Sequence, residues 1–182
     1  MSSSDPRAAG ALSRRSLLAL GISGLAACGF TPVYGPGGIA DGLTGQIAID
    51  PPSDEAGYLL VRHLEERLGR ASGSAPYLLS ADITLDEEEL GITPEQEITR
   101  IRLVGALGYT LTDVADGTVL QTGTVTNFTS YSAPVFNANR RSIAGNPVTI
   151  RAAERDAVSR LMTILADQLT ARILASSGEW RR

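Results

Sequence analysis

Ile98-Thr99-Arg100-Ile101-Arg102-Leu103-Val104-Gly105-Ala106-Leu107-Gly108-Tyr109-Thr110-Leu111-Thr112-Asp113 decides the fold. Ile101, Leu103, Leu107, Tyr109 and Leu111 share one parity, whereas Arg100, Arg102, Thr110 and Thr112 share the other. A period of two is that of a β-strand, whose successive side chains point to opposite faces. One face is built for a core and the other for water, which an antiparallel sheet tolerates.

The same alternation continues upstream and downstream. From Tyr77 to about Leu90, Ala81, Ile83 and Leu85 alternate with Asp82, Thr84 and Asp86, and Gly91 to Pro94 makes a turn. Beyond the quoted stretch, Asp116-Gly117 signals a tight hairpin. Val119 to Tyr131 then returns as a third long strand, rich in Thr and β-branched residues. Its facing stays open, because Val119 and Val125 share one parity while Leu120 and Phe128 share the other.

Two helices flank this meander. Gln46 to Asp50 is a short strand closed by Pro51-Pro52. Ser53 is a plausible N-cap for a helix with Asp54 and Glu55 in its first turn, near the positive end of the helix dipole. Leu60, Val61, Leu64 and Leu68 form its apolar stripe, and Gly69 stops it. A longer helix runs from about Thr149 to Ser176, with Val158, Leu161, Met162, Leu165, Leu169 and Ile173 at helical spacing. Residues 133–147 between them read as a polar loop, and Gly178 with the tail Glu179-Trp180-Arg181-Arg182 closes the chain.

The order β-α-β-β-β-α implies an α+β two-layer sandwich. Two helices pack on one face of a four-stranded, mostly antiparallel sheet, and the opposite face is polar.

The N-terminus has a different character. Arg14 and Arg15 precede an apolar stretch, Leu17 to Ala27, that is too short to span a bilayer. Leu25-Ala26-Ala27-Cys28 matches the lipobox of bacterial lipoproteins. The expectation is a signal peptide over residues 1–27, cut between Ala27 and Cys28, with diacylglycerol on the Cys28 thiol. Each buried methylene contributes roughly 0.8 kcal/mol, so two or three chains anchor firmly. Gly29, rather than Asp, follows the cysteine and favours the outer membrane, facing the periplasm. Ser13-Arg14-Arg15-Ser16-Leu17-Leu18 also resembles a twin-arginine signal, so the export route stays open. Residues 28–45 carry six glycines together with Pro32 and Pro36, and read as a tether before a single domain over 46–182.

Charge and cysteine usage narrow the function. All 16 basic residues are Arg. Three of them and one of the 20 acids precede Cys28, leaving 13 Arg against 19 acids, a net charge of −6. Nucleic-acid binding rests on neutralising phosphates and is disfavoured. Cys28 is the sole cysteine, so there is no intramolecular disulfide, and neither a zinc cluster nor a Cys-x-x-Cys pair can be built.

Candidate chemistry is sparse. His63 is the only histidine and sits within a helix beside Leu64 and Glu66, which reads as a surface or half-buried residue. Asp86-Glu87-Glu88-Glu89 lacks the spaced pattern of a calcium loop and reads as a solvated strand end. Gly35-Pro36-Gly37-Gly38 has neither a preceding strand nor a following Lys-Ser/Thr, and is a linker rather than a phosphate loop. No catalytic residue, cofactor or metal site is expected. Arg100 with Arg102 on one strand face, and Arg140 with Arg141 in the long loop, are the candidates for holding phosphate or carboxylate. The competing reading pairs Arg100 and Arg102 with Glu95, Glu97 or a cross-strand acid such as Asp82.

Cys28-Gly29-Phe30-Thr31-Pro32-Val33-Tyr34-Gly35 resembles the start of the LptE family of lipopolysaccharide-assembly lipoproteins, with Gly29, Phe30, Pro32, Tyr34 and Gly35 at the places that family fills. The resemblance implies two helices on a four-stranded sheet and a non-enzymatic role. It implies an LptD-type outer-membrane β-barrel as partner, plugged and assembled with this subunit's help. Lipopolysaccharide is an implied further ligand, with Arg100, Arg102, Arg140 and Arg141 as candidates to meet its phosphates. The alternative is an auxiliary periplasmic lipoprotein of an ABC-type lipid transporter.

Overall fold

The computed structural model describes residues 33, 35–92, 98–132 and 147–181. The elements are β1 (Ile47–Ile49), α1 (Glu55–Leu68), β2 (Tyr77–Ile92), β3 (Ile98–Asp113), β4 (Val119–Ser132), α2 (Pro147–Ala175) and a single turn, α3 (Ser177–Trp180). One four-stranded sheet has the order β1-β2-β3-β4. β1 lies parallel to β2, and the β2–β3 and β3–β4 pairs are antiparallel. The expected two-layer α+β sandwich is what forms, with the helices on one face.

The alternation in β3 decides which side is which. Leu103, Leu107, Tyr109 and Leu111 are buried beneath the helices. β2 contributes Leu79, and β4 contributes Val125, Thr129 and Tyr131. The ambiguous parity of β4 has a physical origin. The register shifts between Leu111 and Thr112, where Thr112 pairs with Val119 instead of Leu120. A bulge of this kind flips the facing of everything on one side of it. Val125 therefore faces the core while Val119 and Phe128 face solvent.

α2 covers the sheet with Ala157, Leu161, Leu165, Leu169 and Ile173, one every fourth residue, all fully buried. Burial of each such leucine stabilises by ~1.5–3 kcal/mol. Pro147 opens this helix, where its missing N–H removes no helical bond. Asp54 rather than Ser53 caps α1: its Oδ1 accepts from the Gly57 N–H at 2.7 Å. Gly69 follows α1 with φ 80°, in the region that favours glycine. The two helices are tied by Arg67 to Asp167, with Nε 2.7 Å from Oδ1, and by Thr163 Oγ1 to His63 Nε2 at 3.0 Å.

Two segments differ from the sequence expectation. The glycine-rich stretch has no helix or strand among its described residues, yet its end is packed. Ala40 and Leu43 belong to the core, at 1% and 2% exposure. The Ile39 carbonyl accepts from Ser177 Oγ at 2.8 Å, and the Gly45 N–H donates to the Leu68 carbonyl at 2.8 Å. Two apolar side chains among glycines suffice to dock the stretch, so the packed unit begins before Gln46. The tail is also ordered. α3 brings Trp180 edge-on to Tyr77, with ring centroids 5.0 Å apart. Gln121 Oε1 accepts from Ser176 Oγ at 2.8 Å, and Ser176 Oγ accepts from Trp180 Nε1 at 3.2 Å.

Candidate binding surface

The helix-free face of the sheet carries the candidate site. Its residues are those of even number on β2, on β3 and, past the bulge, on β4, set there by the same alternation. Thr84, Thr122, Thr124 and Thr126 are exposed, with Thr110 and Thr112 between them. Thr122 Oγ1 donates to the Tyr109 carbonyl at 3.0 Å and lies 3.5 Å from Thr110 Oγ1. Short hydroxyl side chains on this face leave many donors and acceptors close to the backbone, which suits a wet, polar contact.

One corner of this face is charged. Arg102 lies opposite Glu88 in the register, and its Nη1 is 3.2 Å from Glu88 Oε2. The same guanidinium stands 4.8 Å from the ring centroid of Phe128, in cation–π contact. Arg102 therefore has a cross-strand acid, Glu88 rather than Asp82; Glu95 and Glu97 lie outside the described residues. Arg100 differs: among the described residues no acid lies within ion-pair distance of it. It borders a shallow cleft of about 310 Å³ shared with Ser130, Tyr131, Ala153, Asp156 and Arg160. Arg160 is held there by Asp156 at 2.9 Å. The strand brings Arg100 and Arg102 to one face, and of the two it is Arg102 that pairs with an acid among the described residues. Arg140 and Arg141 lie outside the described residues, as do Ala27, Cys28, Gly29, Phe30, Pro32 and Tyr34. Gly35 is described and bends into the turn that closes at Gly38.

The acidic run divides by face. Glu87 points toward the helix layer, where its Oε1 accepts from the Tyr131 hydroxyl at 2.9 Å. Burial first, then this hydrogen bond to a carboxylate, pushes the Tyr131 pKa up to about 12. Glu88 serves Arg102, and Asp86 and Glu89 are exposed. His63 bridges Glu66, with Nδ1 3.2 Å from Oε2, and Thr163 on α2, so it works as a helix–helix contact. Among the described residues no cluster of His, Cys, Asp and Glu has the grouping of a metal site. No described helix is long and apolar enough to cross a membrane.

Several of these contacts were out of reach of sequence patterns. Glu87 with Tyr131 and Arg102 with Phe128 join different strands, and Arg160 reaches the corner from α2. Only the pairing register reveals them. The Asp86–Glu89 run was the available signal for the first two.

The chain is thus a two-layer α+β domain with a polar open sheet face and a few paired charges. A family model described as LptE, lipopolysaccharide-assembly, matches residues 44–173, and the chain belongs to that family. Its role lies in lipopolysaccharide assembly at the cell envelope. Solved structures share the fold. A lipoprotein from Caulobacter crescentus superposes with a TM-score of 0.60 at 20% identity, covering 79% of this chain and 98% of that one. Rare lipoprotein B from Shewanella oneidensis gives a TM-score of 0.51 at 12% identity, covering 75% and 98%. A minor lipoprotein from Acinetobacter baumannii gives 0.51 at 18% identity, covering 74% and 94%. No curated protein sequence matches the chain.

Proposed function

We propose that this chain is anchored by lipid on Cys28 to the periplasmic face of the outer membrane. There it acts, without catalysis, as plug and assembly partner of an LptD-type β-barrel in lipopolysaccharide transport. Membership of the lipopolysaccharide-assembly family over residues 44–173 carries the reading. The threonine-rich open face supports it, because aqueous barrel lumens are polar and a subunit inside one needs hydroxyl and charged groups on its flanks. The lipobox Leu25-Ala26-Ala27-Cys28 supports the anchor. Arg100, with no described acid partner, is the first candidate to meet a lipid A phosphate, followed by Arg140 and Arg141. Arg102 must first leave Glu88.

The test is affinity purification of the full-length protein from its own outer membranes in mild detergent, with mass spectrometry of what accompanies it. A large β-barrel in near-equal amount is the expected result. An inner-membrane permease in its place would sink the barrel reading and favour an ABC-type transporter helper. The Cys28→Ser variant should leave the membrane fraction while keeping its far-ultraviolet circular dichroism. Retention in the membrane would remove the lipid anchor from the account.

A further inference from the structure

The two edges of the sheet are finished differently. At the β4 edge, α2 reaches over to two of the outward carbonyls. Arg172 Nη1 donates to Thr124 O at 2.8 Å and Arg160 Nη2 to Ser130 O at 3.4 Å. The outward N–H of Phe128 donates to Asn127 Oδ1 at 2.8 Å. Covering of this kind blocks strand addition.

Beyond Leu79 no strand pairs with β2. Next to Ala81 and Ile83 the edge borders a narrow cleft of about 140 Å³ walled by Pro51, Pro52 and the Leu60 and Val61 side of α1, and past Ile83 it leaves that wall. β1 pairs only as far as Ile49 with Leu79, and the last bond runs from the Asp50 N–H to the Leu79 carbonyl at 3.0 Å. Pro51 and Pro52 then lead the chain into α1. Tyr77 and Leu79 both turn their backbone groups toward β1. The β2–β3 register runs on without a shift. The same alternation therefore aims the N–H and C=O groups of Ala81, Ile83, Leu85 and Glu87 outward. Among the described residues, none of these groups has a partner.

The surroundings of that edge are sided. On the open face, Asp82 and Asp86 flank it, both exposed, with Thr84 between them. On the helix side lies a cleft of about 410 Å³, where Leu59, Leu85 and Val158 offer apolar surface between charged walls of both signs, Arg151 and Arg155 with Asp54, Glu55 and Glu154. A strand laid along β2 would send alternate side chains to these two environments.

The geometry points to β2, from Ala81 to Glu87, as a docking edge for an extended segment of a partner protein that alternates basic with apolar residues. Main-chain bonds to the free edge hold the segment. Its basic side chains meet Asp82 and Asp86, and its apolar ones enter the cleft over Leu85. A second copy of this chain is the wrong occupant, because edge-to-edge pairing of two β2 strands brings like carboxylates together on one face. The proposal stands whether or not the partner is the barrel.

The test uses the full-length protein in mild detergent and a short N-acetylated peptide alternating lysine with valine. Amide exchange is read by NMR, and affinity by fluorescence anisotropy. The amides of Ala81, Ile83, Leu85 and Glu87 should exchange about tenfold more slowly with the peptide bound, while a peptide with glutamate for lysine leaves them unchanged. In the double variant Asp82→Lys, Asp86→Lys, which touches no core residue, the preference should switch to the glutamate peptide. Equal protection by both peptides, protection away from this edge, or an unswitched preference each overturns the proposal. So does self-association of Asp82→Asn, Asp86→Asn with unaltered affinity for the lysine peptide, since the acids would then serve only as guards against aggregation.

Discussion

A methyl group on Gly105 would stand 2.9 Å from Leu161 Cδ2 and 3.0 Å from Leu165 Cδ1, both in the buried face of α2. The absent side chain thus sets how closely the helix lies on the middle strand. Overpacking of this kind costs ~1–3 kcal/mol, so Gly105→Ala should lower the denaturant midpoint by that equivalent with an unchanged m-value. A stability equal to the parent's would show that the helix shifts without cost. Tyr131 yields a second prediction. Its pKa is pushed up to about 12 by burial and the Glu87 carboxylate, above the ordinary value of about 10. A raised folded pKa means the contribution to stability is full below pH ~10 and is lost as pH rises toward ~12. Ultraviolet titration should show one tyrosine ionising late, and Tyr131→Phe should remove that late step. If the variant keeps the step, another tyrosine carries it. At this scale the sequence showed the polar and apolar identities of β3 but not their partners. Arg102 looked equally suited to several acids, because which carboxylate stands across the strand depends on register alone.

Periodicity was the strongest signal for elements because one strand or helix records its own buried face. β3 and α2 were legible for that reason: their apolar positions recur locally. β4 was not, since the bulge at Leu111/Thr112 breaks the parity that the pattern depends on. Contacts between elements leave no local trace, as with His63 and Thr163, or Arg67 and Asp167, each pair 100 positions apart. The cover on the β4 edge is a third case. Arg160 and Arg172 lie on the exposed side of α2, and both donate to β4 carbonyls. Their removal should matter more for association than for folding, because exposed charged contacts add little net stability. Arg160→Ala with Arg172→Ala should lower the thermal midpoint by only about 2–4 °C, while sedimentation velocity shows larger species than the parent at equal concentration. An unchanged sedimentation profile would mean that the edge is guarded by something other than these guanidiniums.

The molecule as a whole is a packed sandwich preceded by a segment that is only partly a tether. Leu43 and Ala40 are buried with the α1, α2 and β1 side chains in a single core cluster. The Ile39 carbonyl meets Ser177 beside α3, so the start and the end of the packed unit brace each other. Sequence composition hid this, because glycine and proline dominate the stretch and two apolar residues carry its packing. Two truncations separate tether from core. A chain beginning at residue 35 should unfold with the midpoint of the parent. A chain beginning at residue 46 loses Leu43 from the core, and comparable losses of a buried leucine cost ~2–5 kcal/mol, read as a lower denaturant midpoint. Equal midpoints for the two would make the docked residues dispensable and restore a tether reaching to Gly45. The expected difference shortens it instead. If lipid sits on Cys28, the leash is shorter than residues 29–38 would give fully extended, because the Val33 carbonyl already accepts from the Ala40 N–H at 2.9 Å and the Gly35 carbonyl from the Gly38 N–H at 2.8 Å. A linker of about ten glycine and serine residues inserted before residue 33 should leave the denaturant midpoint unchanged, and a lowered midpoint would show that the segment before Val33 is part of the packed unit.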